Sequence, residues 1–282
     1  MRIIHRTKEF SKKTILAWGI RPEYLKLLSS NKQFSKFDEE ILLKKYSDSV
    51  PSDYKTDFIV DIAASDGVTM SNTYSLFNSG VPGLALEFDS NLFSRLARTY
   101  RHLPKVNLLK VKVTPQNIIS ILDGCNVPKN FSILNLDIDS YDYFVLDALL
   151  ESYRPSVICA EINEKIPPPL KFTVKYSPAY FWGTNHFFGQ SISQLYVLCE
   201  KYDYDLVELH YNNAFLITKE SNKHLSLKPE DAYDAGYRLK KDREEKFSYN
   251  EDMDPVLDMK PEEAKHFIKE AFKLYEGRYD LS

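Results

Sequence analysis

The chain has 282 residues, of which 43% are hydrophobic, enough for the buried core of one large domain or of one domain with additions. Its 37 basic and 40 acidic residues leave a net charge of −3, which argues against a general nucleic-acid binder. Because Cys125, Cys159 and Cys199 show no metal spacing and no apolar run is long enough to span a bilayer, we expect free thiols and a cytoplasmic protein without a signal peptide or membrane span.

The first part of the chain, residues 1–56, is predicted to be a helical lead-in with a break at Ser29, Ser30 and Asn31. Apolar residues recur in helical spacing between Phe37 and Tyr46. We expect this amphipathic segment to pack on the edge of the main domain. Covering a ligand site and forming a subunit contact are the alternatives.

Residues 57–219 alternate between apolar runs of strand length and helical patterns. Strands are predicted at 57–62, 83–88, 106–112, 131–137, 156–161, 205–210 and 213–218, and helices near 69–79, 90–101, 115–123, 142–152 and 190–202. The alternation predicts an α/β domain with a Rossmann-like, doubly wound, mainly parallel sheet of seven strands. A tight polar connection at Tyr211 and Asn212 predicts that the last two strands form an antiparallel hairpin at the sheet edge.

The last part of the chain, residues 220–282, is polar and charged. Pro261 and the two glutamates after it predict the start of a helix with one apolar side. We expect a helical C-terminal appendage that docks on the main domain or on a second subunit, so a homo-oligomer is a possible assembly.

The segment DFIVDIAASDGVTMSNTYSLFNSG at 57–80 is predicted to form a buried strand, a tight loop and a helix from about Thr69. Small side chains at 63–67 let the loop backbone approach a ligand closely. The spaced glycines of a dinucleotide fingerprint and the Gly-Lys-Ser/Thr of a phosphate loop are missing. Carboxylates at Asp61 and Asp66 would repel a pyrophosphate and suit an amine, hydroxyls or a positive charge.

A further acid ends the next predicted strand, because GLALEF at 83–88 places Glu87 roughly 20 residues beyond the loop. In nucleotide-binding α/β folds an acid at this place accepts hydrogen bonds from the ribose hydroxyls. The loop and this acid together point to S-adenosylmethionine, which carries an adenosine, a sulfonium cation and an amino-acid tail.

Four short motifs resemble those of class I S-adenosylmethionine-dependent methyltransferases, in particular the FkbM-like branch of sugar O-methyltransferases: VDIAASDG at 60–67, SNTY at 71–74, LEFD at 86–89 and LNLDIDSYDY at 134–143. The cofactor residues that the resemblance implies are Asp61, Ala63, Ser65 and Gly67 for the methionine part, Asn72 as support and Glu87 for the ribose. Ala63 stands where the family usually has glycine, a mild departure because alanine still allows close approach.

Acids also follow two neighbouring predicted strands of the sheet. The carboxyl ends of parallel strands form one ligand crevice, so four side chains are expected to converge there: Asp137, Asp139, Glu161 and Asn163. Clustered carboxylates repel one another, and a divalent cation such as Mg²⁺, Mn²⁺ or Ca²⁺ would resolve that cost. We predict metal ligands at Asp139, Glu161 and Asn163 and catalytic roles for Asp137 and Asp139.

Two alternatives to these assignments stay open. In the first, Asp139 and Asp142 cap the following helix while Glu161 bonds to backbone amides, and no metal is bound. In the second, Asp137 belongs to the cofactor site, where it contacts the methionine amine.

The loop at 165–190, rich in proline and aromatic residues, is predicted to select the acceptor. Its aromatic side chains suited to stacking on a sugar ring are Tyr176, Tyr180, Phe181 and Trp182. His186 is a candidate general base, with a purely structural, hydrogen-bonded histidine as the alternative. Glu164 and Lys165 are weaker candidates for the same role.

The sequence therefore predicts an S-adenosylmethionine-dependent O-methyltransferase that modifies a hydroxyl of a sugar or glycan, with assistance by Mg²⁺ or Mn²⁺ as an open question. A nicotinamide-dependent oxidoreductase is one alternative, against which the missing glycine fingerprint counts. A non-catalytic binding scaffold of the same fold is the other.

Overall fold

A computed structural model describes residues 33–179, 183 and 185–282 of the chain. The predicted break at 29–31 and most of the predicted lead-in therefore lie outside the described residues. Strands of the described residues are β1 Thr56–Ile62, β2 Gly83–Glu87, β3 Val106–Lys110, β4 Phe131–Leu136, β5 Val157–Glu161, β6 Phe172–Val174, β7 Tyr204–His210, β8 Asn213–Thr218 and β9 Tyr279–Leu281.

The central sheet has seven strands in the order β3-β2-β1-β4-β5-β8-β7. Strands β1 to β5 run parallel, and β8 lies antiparallel between β5 and β7. The predicted Rossmann-like sheet with an antiparallel hairpin at its end is confirmed. Every residue of β4 is buried, as expected for a parallel strand covered on both faces.

Helices of the described residues are α1 Glu39–Ser49, α2 Tyr74–Asn78, α3 Ser90–Thr99, α4 Ile118–Gly124, α5 Asp142–Leu150, α6 Ile192–Lys201, α7 Pro229–Tyr233, α8 Arg243–Lys246 and α9 Pro261–Ala271. Apolar side chains of α1, α2 and α3 join one hydrophobic cluster against the sheet, and those of α4, α5 and α6 join another. The sheet is thus covered on both faces, which leaves the carboxyl ends of its strands as the place where a ligand can bind.

The helix predicted to begin near Thr69 begins at Tyr74 instead. Polar side chains of the loop take up the backbone groups that a longer helix would use: the Asp66 carboxylate accepts the Thr69 N–H at 2.8 Å, and the Ser71 hydroxyl accepts the Tyr74 N–H at 3.0 Å. Met70 between them has a left-handed backbone, with φ of 54°, which no helix continues through. The segment 66–73 is therefore a structured loop beside the sheet edge.

The loop after β5 and the end of the chain form a third hydrophobic cluster together. Strand β6 pairs antiparallel with β9, and Phe172 and Phe187 of the loop pack with Phe272 after α9. The predicted helix at Pro261 is confirmed as α9. The loop of this cluster follows the carboxyl end of β5. The cluster therefore lies beside the end of the sheet at which polar residues follow the parallel strands.

All three cysteines are free, with Cys159 and Cys199 buried and Cys125 half-buried. Among the described residues, no helix combines the length and the apolar character needed to span a bilayer.

Candidate active site

Two cavities open at the edge formed by the carboxyl ends of β1, β2, β4 and β5. The apolar cavity, of about 170 Å³, is lined by residues that include Ile62, Ala63, Leu86, Glu87, Val113, Ile138 and Tyr141. The acidic cavity, of about 560 Å³, is lined by residues that include Met70, Asn72, Asp137, Asp139, Glu161, Glu164, Lys165, His186, Phe188, Asn212 and Tyr249. Residues 137–140 lie between the two, because alternate side chains of this segment line opposite cavities.

Glu87 is the polar residue at the end of β2 in the apolar cavity, and it is 7% exposed. Its carboxylate accepts the Ser65 N–H at 2.9 Å and the Asp89 N–H at 2.6 Å. Burial raises the pKa of Glu87, although these backbone hydrogen bonds act in the opposite direction. A fixed carboxylate beside apolar walls suits a ligand with a diol next to a flat apolar ring.

The loop after β1 turns tightly, as its small residues predict. Ala63 and Ser65 have left-handed backbones, with φ of 67° and 52°. Such a conformation costs a residue with a Cβ roughly 1–2 kcal/mol relative to glycine. Ala63 lines the apolar cavity, so the turn is kept there at a cost in backbone strain.

Asp61 is buried at the end of β1 and makes its hydrogen bonds inside the protein. Its carboxylate accepts the Thr73 hydroxyl at 2.6 Å and the Asn135 amide at 2.8 Å, and Asn72 donates to the Asn135 oxygen at 3.1 Å. Burial raises the pKa of Asp61 to about 6. This network ties the loop to β1 and β4, and a contact between Asp61 and a cofactor stays a prediction.

Gly67 also allows the loop after β1 to pack closely against its neighbours. Its φ is 80°, and a Cβ placed on it would lie 2.6 Å from Leu96 Cδ1 and 2.6 Å from Tyr100 Cε1. Glycine is therefore required for the close approach of the loop to α3 and to the residue after it. Its predicted position along the methionine part of a cofactor stays untested.

Three carboxylates meet in the acidic cavity, as the sequence predicts. Asp137 and Asp139 follow β4, Glu161 ends β5, and one oxygen of each lies within 4.8 Å of the others. Burial and the neighbouring negative charges raise the pKa of Asp139 to about 8, and the same causes raise the pKa of Glu161 well above its usual range. The cluster is thus costly to keep ionised without a cation.

Asp142 does not cap α5 as the helix-capping alternative expected, because the N-cap residue is Tyr141 and the Asp142 carboxylate bonds to residues ahead of the helix. The Asp142 carboxylate accepts the N–H groups of Ile138 at 2.8 Å and Ser140 at 3.0 Å, which holds the loop between the two cavities. Asp139 belongs to the acid cluster. Glu161 accepts a side-chain amide and not the backbone amides that this alternative expected.

Asn163 is not among the residues that line the acidic cavity, and its assignment as a metal ligand stays a prediction. It is fully buried, and its amide donates to the backbone oxygens of His186 and Phe188, each at 2.9 Å. Asn163 therefore holds the loop in place. Asn212, in the hairpin between β7 and β8, lies at the cluster and donates to Glu161 Oε1 at 2.7 Å. Its Oδ1 is buried and has no partner among the described residues.

His186 lines the acidic cavity, and its role as a general base stays a prediction. Its Nε2 lies 3.0 Å from Asp252 Oδ1, and this contact orients the ring. Sequence reasoning missed Asp252, which stands 66 residues away in a polar segment with no motif.

The aromatic loop is described in part. Tyr176 packs edge-on against Tyr141, with ring centres 4.9 Å apart. Tyr180, Phe181 and Trp182 lie outside the described residues. Phe188 and the missed Tyr249 supply aromatic surface to the acidic cavity.

No protein-family model and no curated protein matches this chain. Solved structures with a similar fold include the N-terminal domain of EvdMO1 with SAH bound, at 12% identity over 66% of this chain and 82% of that chain, with a TM-score of 0.43. An S-adenosylmethionine-dependent methyltransferase from Clostridium acetobutylicum ATCC 824 shares 11% identity over 69% of this chain and 96% of that chain, with a TM-score of 0.41. A SAM-dependent methyltransferase from Aquifex aeolicus shares 13% identity over 70% of this chain and 96% of that chain, with a TM-score of 0.38. At these identities and TM-scores the similarities assign no activity to this chain.

Proposed function

We propose that the protein is an S-adenosylmethionine-dependent O-methyltransferase that acts on a hydroxyl of a sugar or glycan with the help of a divalent cation. The observation that carries this proposal is the pairing of the two cavities across residues 137–140. One cavity suits a nucleoside and the other suits a polar acceptor beside a cation. A methyl group has only a short distance to travel between ligands held in this way.

The apolar cavity provides the groups that an adenosine needs. Ile138 and Val113 offer apolar walls for the adenine ring, and Glu87 offers a fixed carboxylate for the two ribose hydroxyls. Asp137 and Asp139, on the far side of the intervening segment, favour a cation, which is the charge of a sulfonium. S-adenosylmethionine supplies an electrophilic methyl group and combines these three features in one molecule.

The acid cluster fits a divalent cation. Asp137, Asp139 and Glu161 would hold it, with the unpartnered Oδ1 of Asn212 as a further oxygen near Glu161. Hard oxygen donors of this kind suit Mg²⁺ or Mn²⁺, and the raised pKa of Asp139 shows the electrostatic cost that a cation would relieve. When bound, such a cation orients an acceptor hydroxyl and lowers its pKa.

In this proposal His186 takes the proton that the acceptor hydroxyl loses as its oxygen gains the methyl group. Asp252 holds the ring and stabilises the imidazolium that results. The aromatic faces of Phe188 and Tyr249 and the polar rim of the cavity support a sugar as the acceptor.

Calorimetric titration with S-adenosylmethionine and S-adenosylhomocysteine, with and without Mn²⁺, tests the proposal. We expect micromolar binding of both compounds, and release of S-adenosylhomocysteine when sugars are added with S-adenosylmethionine. NAD⁺ and NADH are the matched control ligands. Failure of both sulfur compounds to bind under either condition would refute the proposal, and binding of the nicotinamides instead would favour an oxidoreductase.

A further inference from the structure

A buried ion pair lines the acidic cavity at a place apart from the three clustered carboxylates. Lys165 Nζ lies 2.8 Å from Glu164 Oε1, and their side chains are 3% and 2% exposed. A pair buried this deeply loses the hydration of both charges, so its remaining donors and acceptors need partners. The charge of Glu164 also contributes to the raised pKa of Glu161, which places the pair within electrostatic reach of the acid cluster.

Only one of the two Glu164 oxygens is satisfied within the part of the chain that the structure describes. Oε1 accepts both Lys165 Nζ and the Asn250 amide, the latter at 2.7 Å. Oε2 is buried and has no hydrogen-bond partner among the described residues. A buried carboxyl oxygen left unpaired costs on the order of 1–3 kcal/mol, so its persistence at a cavity wall points to a ligand.

The carboxylate is held in a fixed position by the end of the chain. The Asn250 amide that bonds to Oε1 also donates to the Tyr237 hydroxyl at 3.1 Å, and the Tyr233 hydroxyl donates to the Glu164 backbone oxygen. The C-terminal appendage thus hydrogen-bonds to Glu164 at two places, with Asn250 at the side chain and Tyr233 at the backbone. A group held in this way is pre-organised for binding.

We infer that Glu164 and Lys165 form a subsite for a second hydroxyl of the acceptor, distinct from the hydroxyl that receives the methyl group. This inference deepens the proposed function and rests on it. The ligand group has to donate to Glu164 Oε2, and it lies beside a lysine with further N–H donors and the Phe188 ring at 4.5 Å. A hydroxyl both donates and accepts. An ammonium cannot accept from lysine, and a carboxylate or phosphate would repel Oε2.

The chemical consequence is that the acceptor is a polyol with at least two hydroxyls in a defined spatial relation. One hydroxyl reacts near the acid cluster, and the other fixes the orientation of the ring at Glu164. A subsite built to hydrogen-bond a hydroxyl strongly rejects the analogue that lacks it, because its buried polar groups then stay unpaired.

Binding of methyl hexopyranosides tests the inference on the full chain. The probes are methyl α-D-glucopyranoside, -galactopyranoside and -mannopyranoside, the monodeoxy derivatives of each, and their amino and uronic acid analogues. Affinities are measured by calorimetry with and without S-adenosylhomocysteine for the wild type, Glu164→Gln and the control Glu220→Gln. Glu220 forms an ion pair with Arg154, ahead of β5 at the opposite edge of the sheet.

We expect at least one glycoside to bind the wild type and the control equally, and about 10- to 100-fold more weakly to Glu164→Gln. One monodeoxy derivative should bind the wild type more weakly than its parent glycoside does, by a similar factor. That derivative should bind Glu164→Gln as well as it binds the wild type. Its amino and acidic analogues should bind at least tenfold more weakly than the parent. If Glu164→Gln fails to fold by circular dichroism, Glu164→Gln with Lys165→Gln replaces it, since that variant leaves no unpaired buried charge.

Equal glycoside affinity in wild type and variant would overturn the subsite, and so would the absence of glycoside binding in a protein that binds S-adenosylhomocysteine. Tighter binding of the amino or acidic analogue would also overturn it. Glycoside binding with the expected pattern but no binding of S-adenosylhomocysteine would support the subsite and refute the proposed methyl transfer, so the two failures are distinguishable.

Discussion

Replacement of Gly67 by alanine is expected to destabilise the protein through two separate costs. The left-handed backbone, with φ of 80°, costs alanine about 1–2 kcal/mol. The added Cβ would lie 2.6 Å from carbons of both Leu96 and Tyr100, and relief of such crowding in a packed region costs about 1–3 kcal/mol. The sum is about 2–5 kcal/mol of the free energy of unfolding. At about 2–4 °C for each kcal/mol in a domain of this size, Tm falls by roughly 4–20 °C.

Gly80→Ala is the matched control. Gly80 also has a left-handed backbone, with φ of 98°, but a Cβ there meets nothing within 4 Å. We expect a loss of only about 1–2 kcal/mol. The gain from a less flexible unfolded chain is common to both variants and cancels in the comparison. Urea unfolding followed by circular dichroism gives both values. If Gly67→Ala destabilises the protein no more than Gly80→Ala does, the packing role assigned to Gly67 is wrong.

Four further predictions concern the two cavities. Glu87→Ala should weaken S-adenosylhomocysteine binding by about 100-fold or more in calorimetry, because the ribose loses a charged hydrogen-bond acceptor, and unchanged affinity would exclude the ribose assignment. Because Asp139 and Glu161 both have raised pKa values and must lose their protons to bind a metal, the Kd for Mn²⁺ should fall by about tenfold per pH unit or more as the pH rises toward 8, and a flat profile would contradict this. The raised pKa of Asp139 also means that the metal-free protein loses stability as the pH rises from 3.8 to about 8, since the folded state keeps a proton that the unfolded chain releases. His186→Gln should lower kcat by about 100-fold or more and Asp252→Asn by a smaller factor, with cofactor affinity unchanged, and full activity of either variant would remove the base from the mechanism.

The sheet could be predicted from the sequence because its signals are local. Buried parallel strands such as β1 and β4 are short apolar runs, and the tight connection at Asn212 marks the hairpin. The start of α2 could not be predicted in the same way. Asp66 and Ser71 compete for the backbone N–H groups of the segment, and the outcome of that competition depends on how the loop packs.

The acid cluster was also predictable, for a topological reason. Asp137, Asp139 and Glu161 follow neighbouring parallel strands, and the carboxyl ends of such strands share one edge. The rest of the cavity is assembled from residues that carry no local signal. Asp252 and Asn250 come from the C-terminal appendage, and only the docking of that appendage brings them to His186 and Glu164.

Several structural costs of this protein lie at or near the segment that separates the two cavities. Asp139 bears two of them, a left-handed backbone with φ of 55° and a carboxyl group whose pKa is raised to about 8 by burial and by its acidic neighbours. Glu164 adds an unpaired buried oxygen in the same cavity. Stability alone would favour neutral side chains at these positions, since apolar or amide replacements would remove the repulsion. A bound cation and a hydroxyl-bearing ligand, as proposed for the acidic cavity, would relieve these costs.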